Sequence, residues 1–212
     1  MRPQLLDLFC GAGGAAMGYH RAGFDVTGVD IKRQPHFPFK FLHLDVFEYL
    51  YRASNLTGFD AIHASPPCQL YSEAGKLHRV RQDHPDLIGP TRHALEETGL
   101  PWVIENVPNA PLRVDLELCG SMFGLAIRRH RWFEANFPLR KPHAPHNHSA
   151  LYDPWHGPGR TADKFRAAMG IDWMPIAGGR NKPGSVDLAI PPAYTEWIGK
   201  QLLEVVTFSK AG

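Results

Sequence analysis

Short apolar runs alternate with helix-like stretches along the first two thirds of the chain. The apolar runs predict strands at residues 5–9, 26–29, 41–44, 61–64, 102–104 and 131–134. Helical spacing predicts helices after the Gly/Ala run at 11–16, at 91–98 and at 194–206. Strands that alternate with helices are typical of βαβ units. We therefore expect an α/β fold with a mostly parallel central sheet and helices on both faces.

This pattern stops after the last predicted strand. Residues 138–159 are rich in Pro, His, Gly and Asn, show little periodicity, and are predicted to form a loop. Order is expected to return at 164–169, before the closing helix. At 212 residues, the chain suits one domain rather than two.

Composition narrows the setting in which the protein works. A hydrophobic fraction of 43% can supply a core, yet no apolar run approaches the roughly 20 residues that span a bilayer. Because Met1 leads straight into a predicted strand, we expect no signal peptide, no membrane association and a cytoplasmic location. The three cysteines, Cys10, Cys68 and Cys119, are too few for a disulfide framework and are expected to be reduced thiols. The net charge of +2 neither demands nor excludes nucleic acid as a partner.

A glycine-rich turn follows the first predicted strand. Gly11, Gly13 and Ala16 satisfy the G-x-G-x-x-A pattern, which brings the backbone close to a nucleoside-type cofactor. Asp30, at the end of the second predicted strand, is placed to accept hydrogen bonds from ribose hydroxyls. The alternative is that these glycines only allow tight packing of the helix against the strand.

The segment Ser65-Pro66-Pro67-Cys68-Gln69 comes directly after the fourth predicted strand. Two prolines stiffen the backbone immediately before the thiol, at the edge where open α/β sheets place their ligands. An ionised thiol is a nucleophile, but a free cysteine has a pKa of about 8.5 and needs help to ionise. The alternative is that Cys68 is a small buried apolar residue, which is a common role for cysteine.

Several segments together resemble the motifs of the cytosine-C5 methyltransferases. They are Asp7-Leu8-Phe9-Cys10-Gly11-Ala12-Gly13-Gly14, Pro66-Pro67-Cys68-Gln69, Glu105-Asn106-Val107 and Arg129-His130-Arg131. Ala189-Ile190-Pro191-Pro192 resembles the last motif less closely, because Asp187 and Leu188 stand where the family has Gly and Asn. The resemblance implies a Rossmann-like methyltransferase fold that binds S-adenosylmethionine.

The resemblance implies that the first motif wraps S-adenosylmethionine. Phe9 would pack on the adenine and Asp30 would hold the ribose. Asp45 would bond the adenine amino group, although a single Asp after a strand is also a common helix cap. The other cofactor contacts that the resemblance implies are Asp7, Gly11, Gly13, Gly14, Pro66 and Ala189.

The resemblance also assigns the chemistry. Carbon 5 of cytosine is a poor nucleophile, so Cys68 would first add to carbon 6, and an acid at ring nitrogen 3 would ease that addition. Glu105 would be this acid, with its pKa raised by burial. Arg131 would contact the cytosine carbonyl oxygen, while Arg129 would support the thiol and lower its pKa.

The resemblance implies a division of the chain into three segments. Residues 1–137 would form the catalytic domain, and residues 164–212 would complete it. Residues 138–163 would be a short remnant of the target-recognition region. The remnant is too short to bury a core of its own. The polar stretch at 71–90 would be a loop that closes over the target base, which must leave a stacked duplex to be reached.

We assign no metal site from the sequence. His143, His146, His148 and His156 in the remnant could hold zinc, but no cysteine lies among them to complete a common structural set. Contact of these histidines and of nearby arginine and aromatic side chains with phosphates and bases is the preferred interpretation.

The leading hypothesis is methyl transfer from S-adenosylmethionine to carbon 5 of cytosine in DNA, with a protein partner as one source of specificity. Methylation of cytosine in RNA or in a free nucleotide is the second hypothesis, because a mononucleotide needs no recognition domain. A catalytically idle DNA-binding or partner subunit is the third, and the intact set of Cys68, Glu105 and Arg131 argues against it.

Overall fold

The structure is a computed structural model and describes residues 1–71, 85–144, 146–148, 162–174 and 186–209. Within these ranges the strands are β1 (Gln4–Leu8), β2 (Asp25–Asp30), β3 (Lys40–His43), β4 (Ala61–Ala64), β5 (Trp102–Asn106), β6 (Leu116–Leu118) and β7 (Arg131–Ala135). The α-helices are α1 (Gly14–Ala22), α2 (Val46–Leu50), α3 (Ile88–Glu97), α4 (Ala162–Met169) and α5 (Pro192–Ser209).

All seven strands belong to one sheet, in the order β3-β2-β1-β4-β5-β7-β6. The first five strands in this order run parallel, whereas β7 is antiparallel to β5 and β6 is antiparallel to β7. The predicted mostly parallel sheet is confirmed. The sequence pattern did not predict β6, which has three residues, or α2, which has five. Elements this short do not show the hydrophobic periodicity of a strand or a helix.

The sheet is covered by helices on both faces, as predicted. Leu5 packs in the same apolar cluster as Tyr19 of α1 and Ile198 of α5. The next side chain along β1, Leu6, points to the opposite face and packs with Leu95 of α3 and with residues of α2. This follows from the strand period of two, which sends successive side chains to opposite faces of the sheet.

The C-terminal helix α5 packs directly on α1. The hydroxyl of Thr195 donates to the carbonyl oxygen of Ala15 over 2.9 Å. A Cβ atom at Gly199 would lie 2.7 Å from the Cβ of Ala22, so only glycine allows the two helices to approach this closely. The last helix therefore forms part of the same core as the first motif. The division at 137 and 163 stays a prediction.

Some predicted features fall outside the described residues. They are residues 72–84 of the proposed closing loop, His156, and most of the predicted loop at 138–159. Among the described residues, no helix is both long enough and apolar enough to cross a bilayer.

A buried ion pair joins α3 to the antiparallel edge of the sheet. Glu134 of β7 is 1% exposed, and its two carboxylate oxygens accept from Nε and Nη2 of Arg92 over 2.7 and 2.8 Å. The backbone N–H of Arg113 donates to the same carboxylate over 2.9 Å. This bidentate arrangement compensates for the burial of the Glu134 charge.

Replacement of Arg92 by methionine is expected to lower the free energy of unfolding by about 3–5 kcal/mol, because it leaves the Glu134 charge buried without its cation. Urea denaturation measures this change. The matched control is Arg52→Met, which breaks the exposed 2.9 Å pair with Glu48 and should cost no more than about 1 kcal/mol. Similar losses of unfolding free energy in the two variants would show that the buried Arg92–Glu134 pair stabilises the fold no more than the exposed pair does.

Candidate active site

The carboxyl ends of the parallel strands bring the predicted site residues to one edge of the sheet. Leu8 pairs with Ala64, and Ala64 pairs with Ile104, so β1, β4 and β5 end at the same level. The glycine-rich turn, the Pro-Pro-Cys segment and Glu105 therefore meet there, although they lie far apart in the sequence. Open α/β sheets bind their ligands at this edge.

Hydrogen bonds hold the segment that carries Cys68 to β1 and β5, and a further one closes a turn within the segment. The backbone N–H of Ser65 donates to the carbonyl oxygen of Leu8 over 3.1 Å, and that of Tyr71 donates to the carbonyl oxygen of Cys68 over 3.0 Å. The side-chain amide of Asn106, which is buried, donates to the carbonyl oxygen of Pro66 over 2.9 Å. Asn106 was part of a recognised motif, but only the structure shows that it links β5 to the segment that carries Cys68.

Glu105 is buried at the end of β5 and faces the two motif arginines. Nε of Arg131 lies 2.8 Å from Oε1 of Glu105, and both side chains are largely shielded from solvent. Burial raises the pKa of Glu105, and this effect outweighs the opposing influence of Arg131, Arg129 and a hydrogen bond with Ser65. The carboxyl is thus held closer to its protonated form, as a proton donor requires.

Cys68 is partly buried in the same group of charges. Burial raises the pKa of its thiol, while Arg131 and Arg129 lower it and Glu105 adds to the rise. The predicted influence of the arginines has the right sign, since both lower the pKa of the thiol, but burial is the larger effect and the pKa is raised overall. Ionisation of Cys68 in the free protein therefore depends on those two guanidinium groups.

Arg129 is buried deeply beside Arg131. Burial, followed by repulsion from Arg131, lowers the pKa of Arg129 to about 9. Its carbonyl oxygen accepts a 2.6 Å hydrogen bond from the hydroxyl of Tyr194, which belongs to α5. The C-terminal helix therefore fixes the backbone of the arginine motif.

A buried polar chain that the sequence did not reveal runs behind Glu105. The hydroxyl of Tyr19 lies 3.0 Å from Nδ1 of His63, and Nε2 of His63 lies 2.8 Å from the hydroxyl of Ser65. Burial lowers the pKa of His63 to about 3, so its imidazole is neutral near pH 7. Because Ser65 in turn hydrogen-bonds Glu105, the chain helps to orient the carboxyl. The one signal in the sequence was a histidine inside an apolar strand.

The cofactor end of the edge is built around Asp30. Its carboxylate accepts from the backbone N–H of Gly11 over 3.0 Å and from that of Lys32 over 2.8 Å. Phe9 has a φ of 55°, an unusual conformation for a residue with a side chain. A Cβ atom at Gly11 would meet no heavy atom within 4 Å, so open space lies in front of this part of the turn.

The other two glycines of the turn face protein. A Cβ at Gly13 would lie 2.8 Å from Pro38, and one at Gly14 would lie 2.5 Å from the carbonyl oxygen of Ile190 and 3.2 Å from Ala189. Close packing therefore requires glycine at both positions, but against the segments before β3 and before α5 rather than of the helix against a strand. Their direct contact with a cofactor stays a prediction.

Two acidic residues near the turn have roles of their own in the fold. Asp7 is fully buried, and burial followed by repulsion from Asp30 raises its pKa well above the ordinary value. Asp45 caps α2, because its Oδ1 accepts from the backbone N–H groups of Phe47 and Glu48 over 2.9 and 3.1 Å. The cap interpretation of Asp45 is confirmed, and its contact with adenine stays a prediction.

The residues at this edge fit a nucleoside-type cofactor. The open space at Gly11 exposes a backbone surface to a ligand. The carboxylate of Asp30 can accept hydrogen bonds from a sugar, and the aromatic ring of Phe9 can stack on a base. The ring of Phe9 lies edge-on to that of Phe47, with 6.3 Å between the centroids. Pro66 follows β4 at the same edge.

A second group of side chains lies beside the arginine motif. Cys119, His130, His146 and His148 place one donor atom each within 4.8 Å of one another. No cysteine lies among the histidines of the remnant in the sequence, but the fold brings Sγ of Cys119 to within 3.4 Å of Nε2 of His148, 29 residues later. His143 is outside this group, and His130 had been noted only as the middle residue of the motif.

Comparison with known families agrees with the site. The model of the C-5 cytosine-specific DNA methylases matches residues 4–111. The type II methyltransferase M.FnuDI of Fusobacterium nucleatum is 36% identical over 85 residues, which cover 36% of this chain and 24% of that protein. The type II methyltransferase M1.HphI of Haemophilus parahaemolyticus is 36% identical over 93 residues, which cover 38% and 25%. The match thus spans about a quarter of each of these relatives.

Solved structures share the fold along almost the whole chain. The Entamoeba histolytica methyltransferase EhMeth has a TM-score of 0.65 at 10% identity, covering 97% of this chain and 99% of that one. The S. pombe Dnmt2 methyltransferase has a TM-score of 0.63 at 13% identity, covering 98% and 100%. These similarities confirm the predicted Rossmann-like methyltransferase fold.

Proposed function

Since the chain belongs to the C-5 cytosine-specific DNA methylase family, we propose that it transfers a methyl group from S-adenosylmethionine to carbon 5 of cytosine in DNA. The observation that carries the proposal is the meeting of a thiol, a buried carboxyl and two guanidinium groups next to a cofactor turn. They are Cys68, Glu105, Arg129 and Arg131. A nucleophile, an acid and a source of positive potential are what addition to a pyrimidine requires.

The reaction begins at Cys68. Its thiolate forms a bond to carbon 6, the electron pair of the carbon 5–carbon 6 double bond moves into the ring, and Glu105 gives its proton to nitrogen 3. Arg131 contacts the cytosine carbonyl oxygen, where its charge stabilises the electron-rich ring. Carbon 5 is now nucleophilic. When bound, S-adenosylmethionine supplies an electrophilic methyl group on a positively charged sulfur. Carbon 5 then gives its proton to water and nitrogen 3 returns its proton to Glu105. The bond between carbon 6 and the sulfur breaks, which restores the carbon 5–carbon 6 double bond and releases Cys68 as the thiolate.

Residues of the turn hold the cofactor in this proposal. Phe9 would pack on the adenine. Asp30 would accept from the ribose hydroxyls, a role supported by its hydrogen bonds from the backbone N–H groups of Gly11 and Lys32, which hold its carboxylate beside the turn. Gly11 leaves room for the ligand, and Pro66, which follows β4, would also contact it. The proposed set also includes five residues that the resemblance implies, which are Asp7, Asp45, Gly13, Gly14 and Ala189.

The proposed nucleic-acid partner is DNA that contains cytosine, with the target base turned out of the stack. The short segment after β7 and the neighbouring arginines supply the contacts that a larger recognition region would otherwise provide. A protein partner that adds specificity and a cytoplasmic location belong to the same proposal.

Incubation of the full chain with tritiated S-adenosylmethionine tests the function. Matched duplexes with and without cytosine, an RNA of the same sequence and deoxycytidine monophosphate serve as acceptors. We expect label only in the cytosine-containing DNA, at least about tenfold above the other acceptors, recovered as 5-methylcytosine after digestion. Label that enters RNA or the nucleotide instead would reassign the substrate, and label in no acceptor would contradict the proposed activity.

A further inference from the structure

The group of Cys119, His130, His146 and His148 differs from an ordinary surface cluster in how its donor atoms are arranged. All four ligand atoms lie within 4.8 Å of one another. Sγ of Cys119 lies 3.4 Å from Nε2 of His148, and Nε2 of His130 lies 3.1 Å from Nε2 of His146. Hydrogen bonding alone would bring these atoms together in pairs, whereas here the two pairs also converge on each other.

The separations approach those around a tetrahedral metal ion. Zinc bonds of about 2.0–2.1 Å to nitrogen and about 2.3 Å to sulfur imply edges of about 3.3 Å between nitrogens and about 3.6 Å between sulfur and nitrogen. The two close pairs lie near these edges, and no pair would have to close by more than about 1.5 Å on binding. The three imidazole rings stand nearly edge to face, at interplanar angles of 69–86°, so that they do not stack.

We propose that Cys119, His130, His146 and His148 form a closed zinc site that fastens the segment after β7 to the edge of the sheet. One thiolate and three imidazoles are ligands that suit zinc, whereas magnesium and calcium prefer oxygen. All four tetrahedral positions are filled by protein, so the site is structural and leaves no position for a reacting water.

The place of the cluster in the fold explains what zinc would do there. Cys119 directly follows β6, a strand of three residues at the sheet edge, and His130 directly precedes β7. His146 and His148 come from the remnant, and among the described residues 140–148 no side chain enters the hydrophobic core. A metal ion can hold such a segment where there is too little apolar surface to do so.

The site also bears on the arginine motif. His130 stands between Arg129 and Arg131, whose side chains face the buried Glu105 and Cys68. A zinc–His130 bond would fix this backbone from the outside, while the Tyr194 hydroxyl holds it from the core. That consequence for catalysis rests on the proposed function; metal binding itself does not.

The test measures how much metal the full chain binds after any affinity tag has been removed. After chelation and dialysis against Zn²⁺, mass spectrometry of the metal content should give about one zinc per chain. Co²⁺ in place of zinc should produce a thiolate-to-metal charge-transfer band and the intense visible bands of tetrahedral cobalt. Zinc at about a hundredfold excess over its dissociation constant should raise the midpoint of thermal unfolding by about 5–10 °C.

Variants separate this site from adventitious binding. His146→Ala removes an exposed ligand that the fold does not need, so the variant should fold and bind zinc at least about 100-fold more weakly. Cys119→Ser should remove the charge-transfer band of cobalt. His143→Ala, a histidine of the same segment outside the group, should bind zinc as the wild type does.

Three results would overturn the proposal. They are a zinc content below about one tenth per chain, a cobalt spectrum without the thiolate band, and equal losses of affinity in the His143→Ala and His146→Ala variants. None of them depends on methyl transfer. An inactive protein that binds one zinc through Cys119 would therefore contradict the proposed function and leave the site in place.

Discussion

Replacement of Cys68 by serine is expected to lower the rate of methyl transfer at least about 1,000-fold, because the reaction depends on a covalent bond to carbon 6. A hydroxyl ionises far less readily than a thiol, so serine cannot replace the thiolate near neutral pH. The change is nearly isosteric at a partly exposed position, and folding should be preserved. Single-turnover transfer of tritium from S-adenosylmethionine to DNA measures the effect.

A trapping experiment makes the same point without relying on rate. In DNA that carries 5-fluorocytosine, carbon 5 cannot lose fluorine as it loses a proton, so the adduct persists. Wild-type protein should form a complex with this DNA that survives denaturing electrophoresis, and Cys68→Ser should form none. The control is Cys10→Ala, which removes a buried thiol outside the group of charges and should still be trapped. A trapped Cys68→Ser complex would exclude Cys68 as the nucleophile.

Replacement of Glu105 by glutamine is expected to reduce kcat/KM by about 100- to 10,000-fold, the usual contribution of a general acid. The amide keeps the shape of the side chain and can still donate a hydrogen bond to nitrogen 3, but it cannot deliver a proton. The loss should therefore appear in the chemical step, while the affinity for S-adenosylmethionine stays close to that of the wild type.

The pH dependence of kcat/KM gives a sharper test, because the active form carries one proton on the pair, with Glu105 protonated and Cys68 ionised. The enzyme is inactive at low pH, where both groups are protonated, and at high pH, where both are ionised. The wild-type profile of kcat/KM against pH is therefore bell-shaped. Burial raises the pKa of each group, which moves the bell towards alkaline pH. In Glu105→Gln only the thiol titrates, and the alkaline limb should disappear.

The control for this profile is Glu48→Gln. Glu48 also pairs with an arginine, but at the exposed surface of α2, and its loss should leave both the rate and the bell unchanged. Persistence of the alkaline limb in Glu105→Gln would show that another group supplies the proton. Thermal unfolding of the variant checks that loss of the partner of Arg131 has not disrupted the edge of the sheet.

Much of the site could be predicted before the structure was known, because its chemistry is carried by residue types at strand ends. The apolar runs located β1, β4 and β5, and parallel strands bring their carboxyl ends to one edge. Cys68 and Glu105 were therefore expected to meet. The resemblance to the family's motifs added Arg131, and the structure places its Nε 2.8 Å from Oε1 of Glu105.

Other features of the site carry no local signal. The hydrogen bond from Asn106 to the carbonyl oxygen of Pro66 joins residues 40 positions apart in the sequence. The one between Tyr19 and His63 joins residues 44 positions apart. Neither spacing belongs to any strand or helix period. The raised pKa of Cys68 likewise depends on how deeply the thiol is buried, which outweighs the two arginines that the sequence did predict.

The sequence by itself determined the class of fold, the order of most strands along the chain and the identity of the proposed nucleophile, because periodicity and residue type are local properties. Only the tertiary structure decided that Gly13 and Gly14 face protein and that Cys119 joins the histidines of the remnant. Gly13 and Gly14 meet residues that lie far from them in the sequence, and Cys119 meets the histidines because β7 runs antiparallel beside β6. Contacts of this kind arise from packing in three dimensions, and no one-dimensional pattern specifies them.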